Sequence, residues 1–305
     1  MSDASTEGAS DGVEVEVLAG GVGNAGAVVR VGEHVLRPTS PHTPAIHVLL
    51  THLAAVGFDG APRVVGVEAD GRERLVFIPG DVAVPPFPVW SQTDAVLAST
   101  AALLRRYHDA VAGFVSPPGV TWSPELADPM PGADPIVCHN DLCPENVVVR
   151  DGIAVALLDF EFAAPGRRVW DVAAMARMCV PIDTDEDAAR TGRAGLDPFT
   201  RLRVVADAYG LAPDERPDLV EALVTQADHG GAFVRRRVEA GEPAFVAMWE
   251  QMGGQERYDR RARWLRANRG RFTDALVEGA DASYAASRGG TAGVIPGAGA
   301  GRRLR

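Results

Sequence analysis

At 305 residues with a formal net charge of −11, the chain has the wrong sign to meet a phosphate backbone, which argues against nucleic acid as a partner. Hydrophobic residues make up 46% of it, enough to bury a substantial core, so a mainly disordered chain is excluded. No apolar run is long enough to span a bilayer, and the start "MSDASTEGASDG" is too polar for a leader or anchor, so no membrane partner and a cytoplasmic setting are expected.

The first strands are expected early. Residues 1–12 read as a flexible tail, and residues 281–305, rich in glycine, read as another. "VEVEVL" from Val13 alternates apolar and acidic, the pattern of a half-buried strand. "GGVGNAG" follows, then the strand "AVVRV", a turn at Gly32 and Glu33, and the strand "HVLR". A helix is expected from Thr43 as N-cap through Val56, with Ile46, Leu49, Leu50 and Leu53 on one face. "RVVGV" and "RLVFI", joined around Asp70 and Gly71, read as a hairpin. A five-stranded, mainly antiparallel sheet with one inserted helix results.

"PGDVAVPPFP", Pro79 to Pro88, reads as a linker. A long amphipathic helix follows from Thr93 or Asp94. Further helices are expected at 169–178, 199–209, 219–240 and 257–278. The fold class is therefore α+β and bilobal. The expected lobes are a sheet lobe over residues 13–80 and a mainly helical lobe over 81–280, with a ligand cleft between them.

"CHNDLCPENVVV", Cys138 to Val149, carries the chemistry. After it come "Asp-Gly" at Asp151 and Gly152 and then "IAVALLDF", the signature of a hairpin. Folding the chain at that turn sets Asn146 against Asp159 within about two residues, or ~7 Å along a strand. Asp141 lies in the loop entering the hairpin. A carboxylate and an amide oxygen suit Mg²⁺, and a second carboxylate off the metal could accept a hydroxyl proton. That division of labour is a phosphoryl-transfer site. Gly21, Gly23 and Gly26 give G-x-G-x-x-G, and the strand–turn–strand after them favours a phosphate-covering hairpin over a dinucleotide fold, which needs a helix there. Cys138, His139 and Cys143 have no second Cys/His pair to complete a metal site, so all three cysteines, Cys179 included, are expected to be inert thiols of a reducing compartment.

On "GGVGNAG", "HVLRP", "CHNDLCPEN", "LLDFE" and "RRVWDVA", the chain resembles the aminoglycoside phosphotransferase family, a small-molecule branch of the protein-kinase-like fold. The resemblance spans roughly Val13 to Leu276. It implies that Asp141 is the catalytic base, that Asn146 and Asp159 hold Mg²⁺, that His139 braces the loop, and that Asp171 bonds loop backbone. It also implies that Gly21, Gly23, Gly26 and Arg37 meet the phosphates of ATP (or GTP), and that Phe77 and Ile78 receive the purine. "DFE" stands for the protein-kinase "DFG" and no A-P-E follows, so the implied acceptor is a hydroxyl of a small molecule, such as a cationic antibiotic or an amino alcohol.

Two departures from that pattern stand out. The chain contains no lysine, and Arg37 occupies the place of the family's phosphate-binding Lys. The next helix should supply a Glu to steer it, yet no acidic residue lies between Thr39 and Phe58, leaving His47 and His52 as the polar candidates. These departures give the alternative reading, a nucleotide-binding pseudokinase acting as a regulatory or interaction module. "PIDTDEDAARTG" offers Asp183, Asp185, Glu186 and Asp187 either as an acceptor-embracing loop or as a solvated face. The oligomeric state has no signature in the sequence.

Overall fold

The expected five strands form one antiparallel sheet, in the order β1-β2-β3-β5-β4. They are β1 (Val15–Val17), β2 (Val29–Val31), β3 (His34–Pro38), β4 (Val64–Val67) and β5 (Arg72–Val76). The computed structural model describes residues 15–18 and 27–278, so both expected tails and the three glycines Gly21, Gly23 and Gly26 lie outside the described residues. Helix α1 (Thr43–Ala55) joins β3 to β4 and begins one residue early. His42, not Thr43, is the N-cap, while Thr43 accepts the Ser40 N–H through its hydroxyl. Ile46, Leu49, Leu50 and Leu53 are buried, as their spacing requires.

Beyond the linker, α2 (Asp94–Ala110) starts from Thr93, whose hydroxyl accepts the Val96 N–H. Two short strands absent from the sequence reading, β6 (Ile136–Cys138) and β9 (Ala164–Gly166), pair with each other and flank residues 139–163. Between them lies the expected hairpin, β7 (Val147–Arg150) and β8 (Ile153–Leu157). Its turn places Asp151 at φ 52° and Gly152 at φ 75°, the two positive values that favour Asp-Gly in a tight hairpin. The remaining helices are α3 (Arg168–Cys179), α4 (Asp185–Arg190), α5 (Pro198–Tyr209), α6 (Arg216–Glu239), α7 (Pro243–Met252), α8 (Gly254–Ala267) and α9 (Arg269–Val277). The single helix expected over 257–278 is two helices. Asn268 breaks it, turning its own amide Nδ2 back onto the Trp264 carbonyl at 2.8 Å. The break lets Phe272 bury fully beside Phe199, with ring centroids 4.6 Å apart.

One apolar cluster runs from α1 through the helical part, joining Leu49 and Leu53 to Leu104, Tyr107, Leu157 and Phe160. The linker is pinned to it. Asp81 and Val149 exchange backbone hydrogen bonds of 2.9 and 2.8 Å. Gly80 makes this approach possible: a Cβ there would sit 2.5 Å from Val148 Cγ1, at a φ of +144°. Among the described residues no helix is long and apolar enough to cross a membrane.

Candidate active site

The hairpin delivers the predicted meeting. Leu157 pairs with Val147, and the Leu158 N–H continues the ladder to the Asn146 carbonyl at 2.8 Å. Asp159 is the next residue, so Asn146 and Asp159 sit at one end of one hairpin. Asn146 Nδ2 donates to the Asp141 carbonyl at 2.8 Å and to Asp141 Oδ2 at 3.3 Å. Both bonds use the amide nitrogen, which leaves Oδ1 as the atom suited to a cation. Asn140 and Asp159 adopt left-handed φ values of 67° and 60°. Such backbone costs free energy for residues with side chains and persists where the surroundings enforce it.

Asp171 does the enforcing for the loop. Its side chain is fully buried at the start of α3. Oδ2 accepts the His139 N–H at 2.7 Å and Oδ1 accepts the Asn140 N–H at 2.8 Å. Oδ2 also receives His108 Nε2 at 2.9 Å, and the Tyr209 hydroxyl lies 2.7 Å from His108 Nδ1. Burial alone would raise the Asp171 carboxyl, but His108, His139 and the loop N–H outweigh it and hold the group below the usual carboxylate range. Burial lowers His108, keeping it neutral. The geometry then fixes its tautomer: Nε2–H donates to Asp171 and Nδ1 accepts from Tyr209. The His139 ring packs tilted against Phe160, with centroids 4.6 Å apart and planes at 52°, and its Nε2 bonds the Leu158 carbonyl at 2.8 Å. Sequence reasoning found His139 and Asp171. It missed His108, whose partner stands 63 residues away.

Arg37 finds its carboxylates outside α1, in the sheet and at the end of the hairpin. Glu73 lies directly across from Arg37 in the β3–β5 register. Arg37 Nε donates to Glu73 Oε1 at 2.5 Å, and Nη1 donates to Asp159 Oδ1 at 2.7 Å. His47, on α1, holds the other oxygen, Glu73 Oε2, at 2.8 Å. His52 instead faces the Ala110 carbonyl at 3.0 Å, a structural use. Alternation along β3 sends Leu36 to the opposite face, where a cavity of about 370 Å³ opens among Val31, His34, Leu36, Glu68, Arg72 and Arg74. Arg37 and Glu73 therefore point away from that cavity and towards Asp159.

Asp141 is the most perturbed carboxyl of the site. Burial, and then the neighbouring charge of Asp159, push it up to about 8, while Arg177 pulls the other way. Arg177 comes from α3 and packs on α6, where a Cβ on Gly230 would meet its Nη1 at 2.8 Å. Burial pushes the Arg177 guanidinium down to about 10. No local motif marked this residue. Of the residues expected at the purine, Phe77 gives its N–H to the Glu33 carbonyl at 2.9 Å and carries Arg30 over its ring at 3.9 Å. Ile78 follows, half-buried, at the start of the linker.

The acidic segment belongs to neither of its expected roles as a whole. Asp183 is bonded by Arg257 at 2.9 Å, and Asp187 by Arg260 through two bonds of 2.8 Å. Both carboxylates are neutralised by α8, while Asp185 and Glu186 are exposed. All three cysteines are buried free thiols.

Comparison with known proteins bears on this geometry. A family model described as "Phosphotransferase enzyme family" matches residues 120–206, a span holding Asp141, Asn146, Asp159 and Asp171. The trifolitoxin immunity protein of Rhizobium leguminosarum bv. trifolii is 31% identical over 259 residues, covering 82% of this chain and 95% of that one. The chain belongs to the phosphotransferase enzyme family. Its fold is shared with a choline/ethanolamine kinase family protein of Mesorhizobium loti, at a TM-score of 0.54 and 15% identity over 84% of this chain and 94% of that one. It is shared too with aminoglycoside 2'-phosphotransferase-IIIa, solved with GDP, at a TM-score of 0.55 and 15% identity over 82% and 92% of the two chains. The macrolide 2'-phosphotransferase of Brachybacterium faecium superposes at a TM-score of 0.50, with 18% identity over 78% and 91%. This member of the phosphotransferase enzyme family is accordingly a small-molecule phosphotransferase of α+β, protein-kinase-like fold. Arg37 and Glu73 lie outside the segment that the family model matches.

Proposed function

We propose that the protein moves the γ-phosphoryl group of ATP or GTP onto a hydroxyl of a small toxin or antibiotic, and so inactivates it. The observation that carries this reading is the meeting of Asp141, Asn146 and Asp159 at one end of the β7–β8 hairpin. The acceptor oxygen bonds to phosphorus, the bond from phosphorus to the β–γ bridging oxygen breaks, and the hydroxyl proton passes to Asp141. Asn146 Oδ1 and Asp159 fit Mg²⁺: both are hard oxygen donors, and Asp159 already holds a cationic group, Arg37. When bound, the metal would neutralise charge on the phosphates. Positive charge at Asp159 also weakens one cause of the raised Asp141 carboxyl and favours its ionised, proton-accepting form. The pseudokinase alternative rests on Arg37 in place of a lysine and on the missing helix glutamate; the Arg37–Glu73 pair supports the enzyme reading on the second of these.

The acceptor class rests on the curated relative, named for immunity to a toxin, and on fold neighbours named for aminoglycoside and macrolide phosphorylation. A mass-shift screen tests it. Incubation with Mg·ATP or Mg·GTP and a pool of hydroxylated antibiotics and amino alcohols should add one phosphoryl group to at least one antibiotic. Phosphorylation of amino alcohols alone would overturn the detoxifying role, and a pool left unmodified while nucleotide is bound would overturn the proposed acceptor class.

Asp159 gives a prediction that separates metal from phosphate contacts. Asp159→Asn should weaken Mg·ATP binding by roughly tenfold or more, as loss of a metal ligand does. Metal-free ATP should bind no worse, because the substitution also releases Arg37 Nη1 from its ion pair. Calorimetric titrations with and without Mg²⁺ distinguish the cases. Equal losses in both would make Asp159 a structural residue.

A further inference from the structure

We infer that Glu73, braced by His47, is the positioning residue that aims Arg37 at the nucleotide phosphates, replacing the helix-borne glutamate with one borne by a strand. The inference rests on the nucleotide-dependent reading above. Its geometry is complete within the protein. The Glu73 side chain is 2% exposed, so water cannot solvate its charge. Each of its oxygens has a partner instead: Arg37 Nε on Oε1 and His47 Nε2 on Oε2. Burial would raise this carboxyl, but His47 and Arg37 outweigh the burial and hold it ionised.

The bond to Nε matters for direction. It fixes the plane and the azimuth of the guanidinium, since Nε is the one nitrogen attached to the stem. Nη1 then reaches Asp159, and among the described residues Nη2 has no acceptor. The open edge of the fork therefore lies beside the proposed metal ligand, where triphosphate oxygens would arrive. A lysine could not copy this arrangement, because one ammonium nitrogen would have to replace two nitrogens of a rigid fork.

The placement also changes what assembly requires. A helix-borne glutamate reaches the third strand only when the helix is correctly docked. Here β3 and β5 are hydrogen-bonded neighbours with Arg37 opposite Glu73, so the pair forms with the sheet itself. Helix α1 contributes only the brace, through His47. The phosphate grip is thus built into the sheet and does not wait on a helix movement.

A double-mutant cycle on Mg·ATP affinity tests this. Glu73→Gln in the full chain should weaken binding by roughly tenfold, the scale of coupling between contacting charged groups. In an Arg37→Ala background, the same Glu73→Gln change should alter affinity by less than about twofold, because nothing is left to aim. His47→Leu should weaken binding, and His47→Gln, which keeps a donor, should restore most of it. Should Glu73→Gln fail to fold, the His47 pair in both backgrounds gives the same cycle. Equal losses with and without Arg37 would show that Glu73 only holds the sheet, and would overturn the inference while leaving the proposed function standing. A wild-type chain that binds no nucleotide would overturn the proposed function, and the inference with it.

Discussion

Asp141→Asn should lower turnover by roughly 10²–10⁴-fold, the usual contribution of a positioned base, while leaving Mg·ATP affinity within about threefold of wild type. The substitution keeps the shape of the side chain. The 2.8 Å bond from Asn146 goes to the Asp141 backbone carbonyl and survives, and the new amide oxygen can still accept at the Oδ2 position. What is lost is the capacity to take a proton. Nucleotide affinity should change little, since a carboxyl pushed up to about 8 is largely protonated near neutral pH and the substitution removes little charge. Arg177, which now faces that carboxyl, would be left without it. Phosphoryl transfer to an acceptor found by the mass-shift screen reads the turnover, and calorimetry reads the affinity. If binding collapsed together with turnover in a folded variant, Asp141 would be a nucleotide or metal contact and the base would have to be sought elsewhere.

The reach of the sequence depends on how local each feature is. Asn146 and Asp159 could be brought together on paper because a single turn, Asp151-Gly152, sets the register of everything between them. The two hairpins of the sheet were readable for a similar reason, since short turns join β2 to β3 and β4 to β5, whereas the pairing of β3 with β5 was not. Glu73 was not readable, although its signal was present. It shares the buried face of β5 with Leu75, and a carboxylate on an apolar face demands a partner. The family resemblance puts the steering acid on the helix, not on the strand. Other features depended on distant contacts. β6 and β9 are three residues each and too short to show alternation. The capture of Asp183 and Asp187 by α8 joins residues more than seventy positions apart. A run of acids gives no hint of that until the helices are packed.

Asp171→Ala should destabilise the protein by about 3–5 kcal/mol, the cost of breaking a buried charged network by removing one partner. Three donors would lose their acceptor at once: His108 Nε2, the His139 N–H and the Asn140 N–H. None can turn to water, since His108, His139 and Asn140 are all buried. For a domain of this size the loss corresponds to a fall in Tm of roughly 10 °C. Asp171→Asn should cost less but not nothing. Its single oxygen can serve one loop N–H, and its amide can donate to His108 if that ring switches tautomer, yet the other loop N–H then faces an NH₂ group. Turnover of the folded Asn variant should therefore fall with the positioning of Asp141, two residues from His139. The pH dependence has a fixed sign. His108 and Asp171 both have folded-state values below their unfolded ones, so the unfolded chain takes up more protons on acidification. Stability should fall as the pH drops below about 6.5, the unfolded value of histidine, and fall again as Asp171 is protonated below about 3.9. Thermal unfolding of wild type and both variants between neutral and acidic pH checks the order and the slope. An Asp171→Ala protein with wild-type Tm and wild-type turnover would mean that the β6–β9 pair alone holds the catalytic loop.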